Sequence, residues 1–133
     1  MPFWTKAKKP QEQPPQTILV IDDDPTTQKI VQQALTKSGY LVLTASSGEA
    51  GLEAARDKNP DAIILDVLMP GMDGFMLIKE LRSREATKGK PVIVLTSRDN
   101  VGDTFQRFGA DAFLTKPVNP PLLLETLRKL TGQ

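Results

Sequence analysis

The chain has 133 residues, a formal net charge of +1, and neither histidine nor cysteine. This length is typical of a single domain with its own hydrophobic core, and the near-zero charge argues against a nucleic-acid-binding surface over the whole protein. The missing imidazole and thiol groups exclude Ser-His-Asp and Cys-His nucleophile systems, histidine-rich zinc sites and disulfides. Carboxylate oxygens remain as metal ligands, and they favour hard cations such as Mg²⁺.

Residues 1–16 are predicted to form a disordered tail that precedes a folded domain over residues 17–133. The tail holds four of the eleven prolines and three lysines, a composition that cannot bury enough surface to become ordered. No apolar segment follows the lysines as it would in a signal peptide, and no run approaches the roughly 20 apolar residues that span a bilayer. We therefore expect a cytoplasmic protein without a membrane partner.

Short apolar runs alternate with amphipathic stretches from Thr17 to the end of the chain. The pattern predicts five strands, at 18–21, 40–44, 62–65, 92–95 and 111–115. A helix follows each strand. The first helix runs from Asp24-Pro25 to Gly39, the second follows the Ser46–Glu49 capping box, the third is capped by Asp73, the fourth is a weaker helix at 100–108, and the fifth is capped by Asn119.

These elements make five consecutive βα units. The runs at 18–21, 62–65 and 92–95 are apolar throughout, as is typical of strands that helices cover on both faces. The pattern predicts a three-layer, doubly wound α/β sandwich with right-handed crossovers. It does not determine the order of the strands in the sheet.

Four of the apolar runs end in polar residues suited to phosphate chemistry. The first ends in Asp22-Asp23-Asp24, and the later three end in Asp66, in Thr96-Ser97 and in Lys116-Pro117. The carboxyl ends of parallel strands share one edge of the sheet, where open α/β sheets bind their ligands. We therefore expect several carboxylates, a hydroxyl and an ammonium group at that edge.

The acidic residues at this edge predict a Mg²⁺ site. Asp22 and Asp23 leave their strand together, and their charges repel each other unless a cation lies between them. Asp66 is expected on the neighbouring strand end, where it would be a third carboxylate for the metal. Asp24 is interpreted as a helix cap only.

Asp66 is also a candidate nucleophile. It lies between Leu65 and Val67, where a charge without a partner would be costly, and the partners we expect are the metal and Lys116. Carboxylates accept phosphoryl groups, and this transfer needs positioning and charge neutralisation. The metal and Lys116 would neutralise the phosphoryl oxygens, and Thr96 would donate a hydrogen bond. The simpler alternative is a structural salt bridge between Asp66 and Lys116.

The segments Ile18–Pro25, Leu65–Gly74, Leu95–Ser97 and Gly109–Pro117 resemble, in order and spacing, the signature blocks of a known family. That family is the response-regulator receiver domain of two-component phosphorelay systems, and the resemblance covers about residues 17–131. It implies a flavodoxin-like, five-stranded parallel sheet of order 2-1-3-4-5.

The resemblance also implies a role for each matching residue. Asp66 matches the phosphoacceptor, and Lys116 matches the lysine that contacts phosphate. Asp22 and Asp23 match the acidic pair, with Asp23 as a direct metal ligand, and Leu68 matches the residue whose backbone carbonyl completes the metal shell. Thr96 matches the switch hydroxyl, and Phe113 matches the rotating aromatic residue. Because Phe113 has no hydroxyl group, a switch that uses a phenol hydrogen bond is not expected here.

The implied function is a phosphorylation-dependent signalling switch rather than an enzyme. Asp66 would accept a phosphoryl group from a histidine kinase, a histidine phosphotransfer protein or a small acyl phosphate, with Mg²⁺ as cofactor, and would lose it by self-dephosphorylation. Thr96 and Phe113 would then change the face made by the helix at 100–108, the strand at 111–115 and the last helix. That face would bind a downstream target protein. The alternative partner is a second copy of the chain, in a phosphorylation-dependent homodimer.

Three other functions fit parts of the pattern. A receiver-like interaction module that is never phosphorylated would have the same fold. A haloacid-dehalogenase-type phosphatase needs a second aspartate two residues after the nucleophile, where this chain has Leu68. A flavodoxin would bind phosphate at its first loop, which Asp22-Asp23-Asp24 would repel. We expect a stand-alone regulator that acts through protein contacts, with a fragment of a larger regulator as the alternative.

Overall fold

The computed structural model describes residues 14–67, 74–97 and 109–132. These residues form five strands and four helices, which we number in chain order. The elements are β1 (Thr17–Ile21), α1 (Pro25–Lys37), β2 (Leu41–Ala45), α2 (Gly48–Lys58), β3 (Ala62–Leu65), α3 (Gly74–Ser83), β4 (Val92–Thr96), β5 (Ala112–Thr115) and α4 (Pro120–Thr131). Most of the predicted tail, the predicted helix at 100–108, Leu68 and the predicted cap Asp73 lie outside the described residues.

All neighbouring strands are parallel, and their order is β2-β1-β3-β4-β5. This is the order implied by the resemblance, and it confirms the doubly wound α/β fold. The predicted start of the second strand was one residue early. The N–H of Tyr40 donates instead to the carbonyl of Leu35, 3.0 Å away, in the turn that ends α1. Tyr40 therefore lies in the turn after α1, with its ring buried in the core layer, and β2 begins at Leu41.

Side-chain caps begin three of the helices: Asp24 and Asn119 are the caps that the sequence predicted, whereas the cap of α2 is Ser47, one residue after the Ser46 that begins the predicted capping box. Asp24 accepts a hydrogen bond from the N–H of Thr26, and Asn119 accepts one from the N–H of Leu122, each over 3.2 Å. Ser47 caps α2 in the same way. These bonds satisfy N–H groups that a helix leaves without partners at its first turn. All three caps lie on the carboxyl side of a strand, so the helices begin near the edge where a ligand is expected.

The interior consists of two apolar layers, one on each face of the sheet. Successive residues of a strand point to opposite faces, so a strand with no polar residues supplies both layers. One layer packs the sheet against α2 and α3, with Leu19, Ile21, Ile63, Leu65, Val94, Leu52, Leu77, Ile78 and Leu81 among its members. The other packs it against α1 and α4, with Ile18, Val20, Ile64, Ile93, Leu95, Val31, Leu35, Leu123 and Leu127.

Polar side chains tie together the amino end of the sheet. Asp111 accepts a hydrogen bond from the N–H of Val92 through Oδ2 and donates its own N–H to the carbonyl of Val92, each over 2.8 Å. Arg82, at the end of α3, contacts the same carboxylate and also donates to the carbonyls of Lys88, Lys90 and Gly109. We call Arg82, Asp111 and these three carbonyls the amino-end network.

Within the part of the chain that the structure describes, none of the helices has the length and apolar character that a membrane crossing requires.

Candidate functional site

Three of the expected polar residues meet at the carboxyl end of the sheet because backbone hydrogen bonds extend the strand pairing beyond the strands. The N–H of Asp22 donates to the carbonyl of Ala45 at the end of β2, and the N–H of Asp66 donates to the carbonyl of Ile21 at the end of β1. Asp22 and Asp66 therefore lie side by side. Both side chains are almost fully buried.

Lys116 connects these two carboxylates. Its Nζ lies 3.0 Å from Oδ2 of Asp22 and 3.0 Å from Oδ2 of Asp66. The salt bridge between Asp66 and Lys116 that we considered from the sequence is thus present, but the same ammonium group is shared with Asp22. A single positive charge therefore serves two buried negative charges.

The pKa of the Asp22 carboxyl is raised above its ordinary value. Burial is the main cause and the nearby Asp66 carboxylate adds to it, and together they outweigh the N–H of Asp24 and the Lys116 ammonium, which act in the opposite direction. Burial also lowers the pKa of Lys116, but hydrogen bonds and charges from Asp22 and Asp66 outweigh burial and raise it overall. The protonated lysine is therefore held firmly, whereas the ionised Asp22 is disfavoured.

Asp22, Asp23 and Asp66 form an acidic cluster in which one carboxylate oxygen of each lies within 4.8 Å of the others. Asp23 is exposed, so the cluster opens to solvent. With Lys116, the cluster has three negative charges and one positive charge, which leaves two negative charges in excess. Carboxylate oxygens and an excess charge of this size suit a hard divalent cation such as Mg²⁺.

Asp24 is not part of the acidic cluster. Its carboxylate accepts hydrogen bonds from the hydroxyl of Thr27 and from the N–H of Thr26, and both lower the pKa of the Asp24 carboxyl, the hydroxyl most strongly. This is the helix-cap role that the sequence predicted.

Thr96 and Phe113 lie on the two strands beyond Asp66. Thr96 is the last residue of β4 and is fully buried, and its carbonyl accepts a hydrogen bond from the N–H of Lys116 over 2.7 Å. Phe113 pairs with Val94 in register and packs, partly buried, against the core layer under α2 and α3. The main chain thus links Thr96 directly to Lys116, whereas Phe113 contacts the core.

Two glycines bring helices against the residues next to Asp22 and Asp66, and the sequence analysis did not identify either of them. A Cβ atom on Gly51 of α2 would lie 2.5 Å from Cδ1 of Ile21, which precedes Asp22. A Cβ atom on Gly74 of α3 would lie 2.6 Å from Cβ of Val67, which follows Asp66. A single glycine inside a helical pattern is a weak signal of such close packing.

Gln28 is the third residue that sequence reasoning missed. It lies on α1, and its side-chain amide contacts the main chain of Asp22. A glutamine in the second turn of an amphipathic helix carries no sequence signal for such a contact, because the acceptors belong to other parts of the chain.

Comparison with known proteins gives a consistent result. The family described as the response regulator receiver domain matches residues 18–128. Protein PilH of Pseudomonas aeruginosa is 38% identical over 112 residues, which are 83% of this chain and 93% of PilH. Response regulator PleD of Caulobacter vibrioides is 40% identical over 116 residues, but these are 86% of this chain and 26% of PleD. The chain therefore spans about a quarter of PleD.

Solved structures with the same fold include the chemotaxis response regulator CheY4 of Vibrio cholerae, with a TM-score of 0.83 and 34% identity over 88% of this chain and 99% of that chain. The receiver domain of sensor histidine kinase PA1611 from Pseudomonas aeruginosa, which has a magnesium ion coordinated in its active site cleft, has a TM-score of 0.83 and 29% identity over 90% and 100% of the two chains. TrrA from Thermotoga maritima, in complex with Mg²⁺ and BeF, has a TM-score of 0.80 and 32% identity over 86% and 98%.

Proposed function

Because the chain belongs to the family of response regulator receiver domains, we propose that it is a phosphorylation-dependent signalling switch with Asp66 as its phosphoacceptor. Receiver domains are signalling regulators rather than enzymes. The observation that carries the proposal is the position of Asp66, a buried carboxylate beside both the Lys116 ammonium and the rest of the acidic cluster. A buried group with a specific charge partner at a ligand-binding edge is typical of a functional site.

The proposed reaction is a single phosphoryl transfer. A carboxylate oxygen of Asp66 forms a bond to phosphorus while the bond between phosphorus and the donor breaks. The electron pair of that bond stays with the leaving imidazole of a phosphohistidine or the leaving carboxylate of an acyl phosphate. Lys116, already 3.0 Å from Asp66, would neutralise charge on the phosphoryl oxygens, and the Thr96 hydroxyl would donate a hydrogen bond to them.

The acidic cluster supports Mg²⁺ as the cofactor. Asp22, Asp23 and Asp66 would hold the ion, and the backbone carbonyl of Leu68, outside the described residues, is proposed to complete its protein ligands. When bound, Mg²⁺ supplies positive charge that offsets the carboxylates and the incoming phosphoryl oxygens. The magnesium in the PA1611 receiver domain and in TrrA supports this choice of ion.

The phosphoryl donor is expected to lie outside these 133 residues, because they contain no histidine. We propose a histidine kinase or a histidine phosphotransfer protein as the physiological donor, and small acyl phosphates as a substitute that the domain uses on its own. The proposed location is the cytoplasm. The proposed domain limits stay at residues 1–16 for the tail and 17–133 for the receiver domain, and the start of β1 at Thr17 supports them.

Phosphorylation would add roughly two negative charges at Asp66. We propose that Thr96 responds through its hydroxyl and Phe113 through its ring, and that together they change the face near β5 and α4 that binds a downstream target protein. A homodimer through that face is an alternative use of the same switch. Neither a membrane nor a nucleic acid is proposed as a direct partner.

Labelling by acetyl phosphate tests this proposal. With Mg²⁺, the intact mass of the parent protein should increase by one phosphoryl group, and EDTA should prevent the increase. Asp66→Asn should stay unlabelled, whereas the matched variant Asp57→Asn, which changes an exposed aspartate on α2, should label like the parent. Labelling of Asp66→Asn, or no labelling of the parent, would refute the assignment.

A further inference from the structure

Gln28 connects the carboxyl ends of β1 and β2 through one side-chain amide. Its Nε2 donates to the carbonyl of Asp22, to the carbonyl of Ala45 over 3.2 Å and to the hydroxyl oxygen of Ser46 over 3.1 Å. The donor comes from α1, whereas the acceptors follow β1 and end β2. A half-buried helix residue thus holds the ends of two strands together.

The orientation of this amide follows from its neighbours. Two of the three acceptors are main-chain carbonyls, which have no hydrogen to donate. If the amide were turned over, its own oxygen would face both carbonyls without a hydrogen between them. The nitrogen must therefore face the strand ends, and its two hydrogens are shared among three acceptors.

Both the main chain and the side chain of Asp22 make hydrogen bonds. Its N–H donates to the carbonyl of Ala45 over 3.0 Å, its Oδ1 accepts from the N–H of Asp24 over 2.9 Å, and its Oδ2 accepts from Lys116 over 3.0 Å. The contact from Gln28 is a side-chain bond to its carbonyl. That carbonyl belongs to the peptide group between Asp22 and Asp23. A bond that fixes this peptide group therefore helps to position both residues of the acidic cluster.

We propose that Gln28 is a positioning residue for the acidic cluster, and that its amide sets the affinity of the cluster for Mg²⁺ by fixing the peptide between Asp22 and Asp23. The inference rests on the proposed function, since it concerns the same metal site. Groups that orient metal ligands commonly change metal affinity by about 10- to 100-fold when they are replaced.

The test is Mg²⁺ titration calorimetry on the full chain, with the parent, Gln28→Met and Gln32→Met. Methionine matches glutamine in length but cannot donate a hydrogen bond. Gln28→Met should bind Mg²⁺ about tenfold more weakly than the parent. Gln32→Met makes the same exchange at an exposed position one turn further along α1, and should bind like the parent.

Gln28→Glu separates positioning from electrostatics and replaces the methionine variant if that protein does not fold. A glutamate adds a negative charge near the site, which by Coulomb attraction alone would strengthen Mg²⁺ binding. An ionised glutamate cannot donate to the two carbonyls, so our proposal predicts weaker binding instead. Thermal unfolding in EDTA, measured in parallel, identifies the temperature range in which each variant is folded.

The possible outcomes distinguish this inference from the proposed function. If the parent does not bind Mg²⁺, the metal site itself is refuted and the positioning role with it. If the parent binds but Gln28→Met or Gln28→Glu binds as tightly or more tightly, the positioning role is refuted while the metal site stands. Weaker binding by both variants, with Gln32→Met unchanged, supports the inference.

Discussion

The amino-end network and the group at the carboxyl end of the sheet both pair a cation with aspartate, but of these two described groups the one at the carboxyl end has excess charge. In the amino-end network, Arg82 Nη2 lies 2.7 Å from Asp111 Oδ2, and the other Arg82 bonds go to carbonyls. One positive charge meets one negative charge there. At the carboxyl end, Lys116 faces two buried carboxylates directly and a third carboxylate lies within the same cluster.

This difference separates a network whose charges balance from one whose excess negative charge suits a cation. The guanidinium group of the amino-end network uses its fork of donors on partners within the chain. The acidic cluster retains two excess negative charges, one on the exposed Asp23 and one among the buried groups, and the buried charge is unfavourable unless a cation binds. A buried group of charges that the protein itself does not neutralise is therefore the better indicator of function.

Replacing Lys116 should have the largest effect. In EDTA, Lys116→Met leaves two buried carboxylates facing each other, and we expect the free energy of unfolding to fall by about 3 kcal/mol. Mg²⁺ should bind more tightly to this variant, because the ammonium that opposes a second cation is gone. Urea unfolding with EDTA and with Mg²⁺ measures both effects.

Lys129→Met is the matched control for that experiment. Lys129 is exposed and lies 3.7 Å from Glu125, so its loss should change the free energy of unfolding by less than about 1 kcal/mol. If Lys116→Met were as stable as the parent in EDTA, the repulsion that we expect between the buried carboxylates would be absent.

Replacing Arg82 should have a smaller effect and a different signature. Arg82→Met removes the donors to three carbonyls and to Asp111, and we expect a loss of about 2 kcal/mol in the free energy of unfolding. Arg82→Lys should recover little of it, because one ammonium cannot replace the guanidinium fork. The affinity for Mg²⁺, measured by calorimetry, should stay unchanged, and a tenfold change would contradict the separation of the two ends.

Asp22→Asn should change the free energy of unfolding least. The pKa of Asp22 determines whether the change is a gain or a loss at each pH. Burial raises the pKa of folded Asp22 above the unfolded value of about 3.9. This group therefore contributes stability that is fully present below about pH 3.9 and is lost as pH rises through the folded pKa. At neutral pH in EDTA, the asparagine variant should be slightly more stable than the parent, and the difference should shrink as pH falls toward 4.

Thermal unfolding of Asp22→Asn and the parent between pH 7 and pH 4 checks this prediction. Asp111→Asn is the counterpart at the amino end and should lower stability at neutral pH, because its carboxylate holds both Arg82 and the N–H of Val92. An Asp22→Asn variant less stable than the parent at pH 7 would show that Lys116 compensates the buried charge fully.

Much of the fold could be predicted because local signals determined it. Caps such as Asp24 and Asn119 act over two or three residues, and apolar runs without alternation directly reflect burial on both faces. The strand order was not a local property, and only the resemblance to receiver domains supplied it. The start of β2 was misplaced because Tyr40, a residue with strand propensity, uses its N–H in the turn after α1 instead of in the sheet.

The carboxyl-end residues could be predicted from one rule, that parallel strands end at the same edge. This rule located Asp22, Asp66 and Lys116, which the structure brings into contact. It could not find Gln28 or Gly74, because their partners belong to other elements of the chain. Contacts between a helix residue and the end of a neighbouring strand depend on packing distances that periodicity and caps do not record.

An NMR titration with Mg²⁺ tests the contrast between the two ends most directly. We expect the amide signals of Asp22, Asp23 and Asp66 to shift as the ion binds, while those of Lys90, Gly109 and Asp111 stay in place. If the signals of the acidic cluster do not move, or if those of the amino-end network move as far, the assignment of the metal and phosphoryl site to the carboxyl end is wrong.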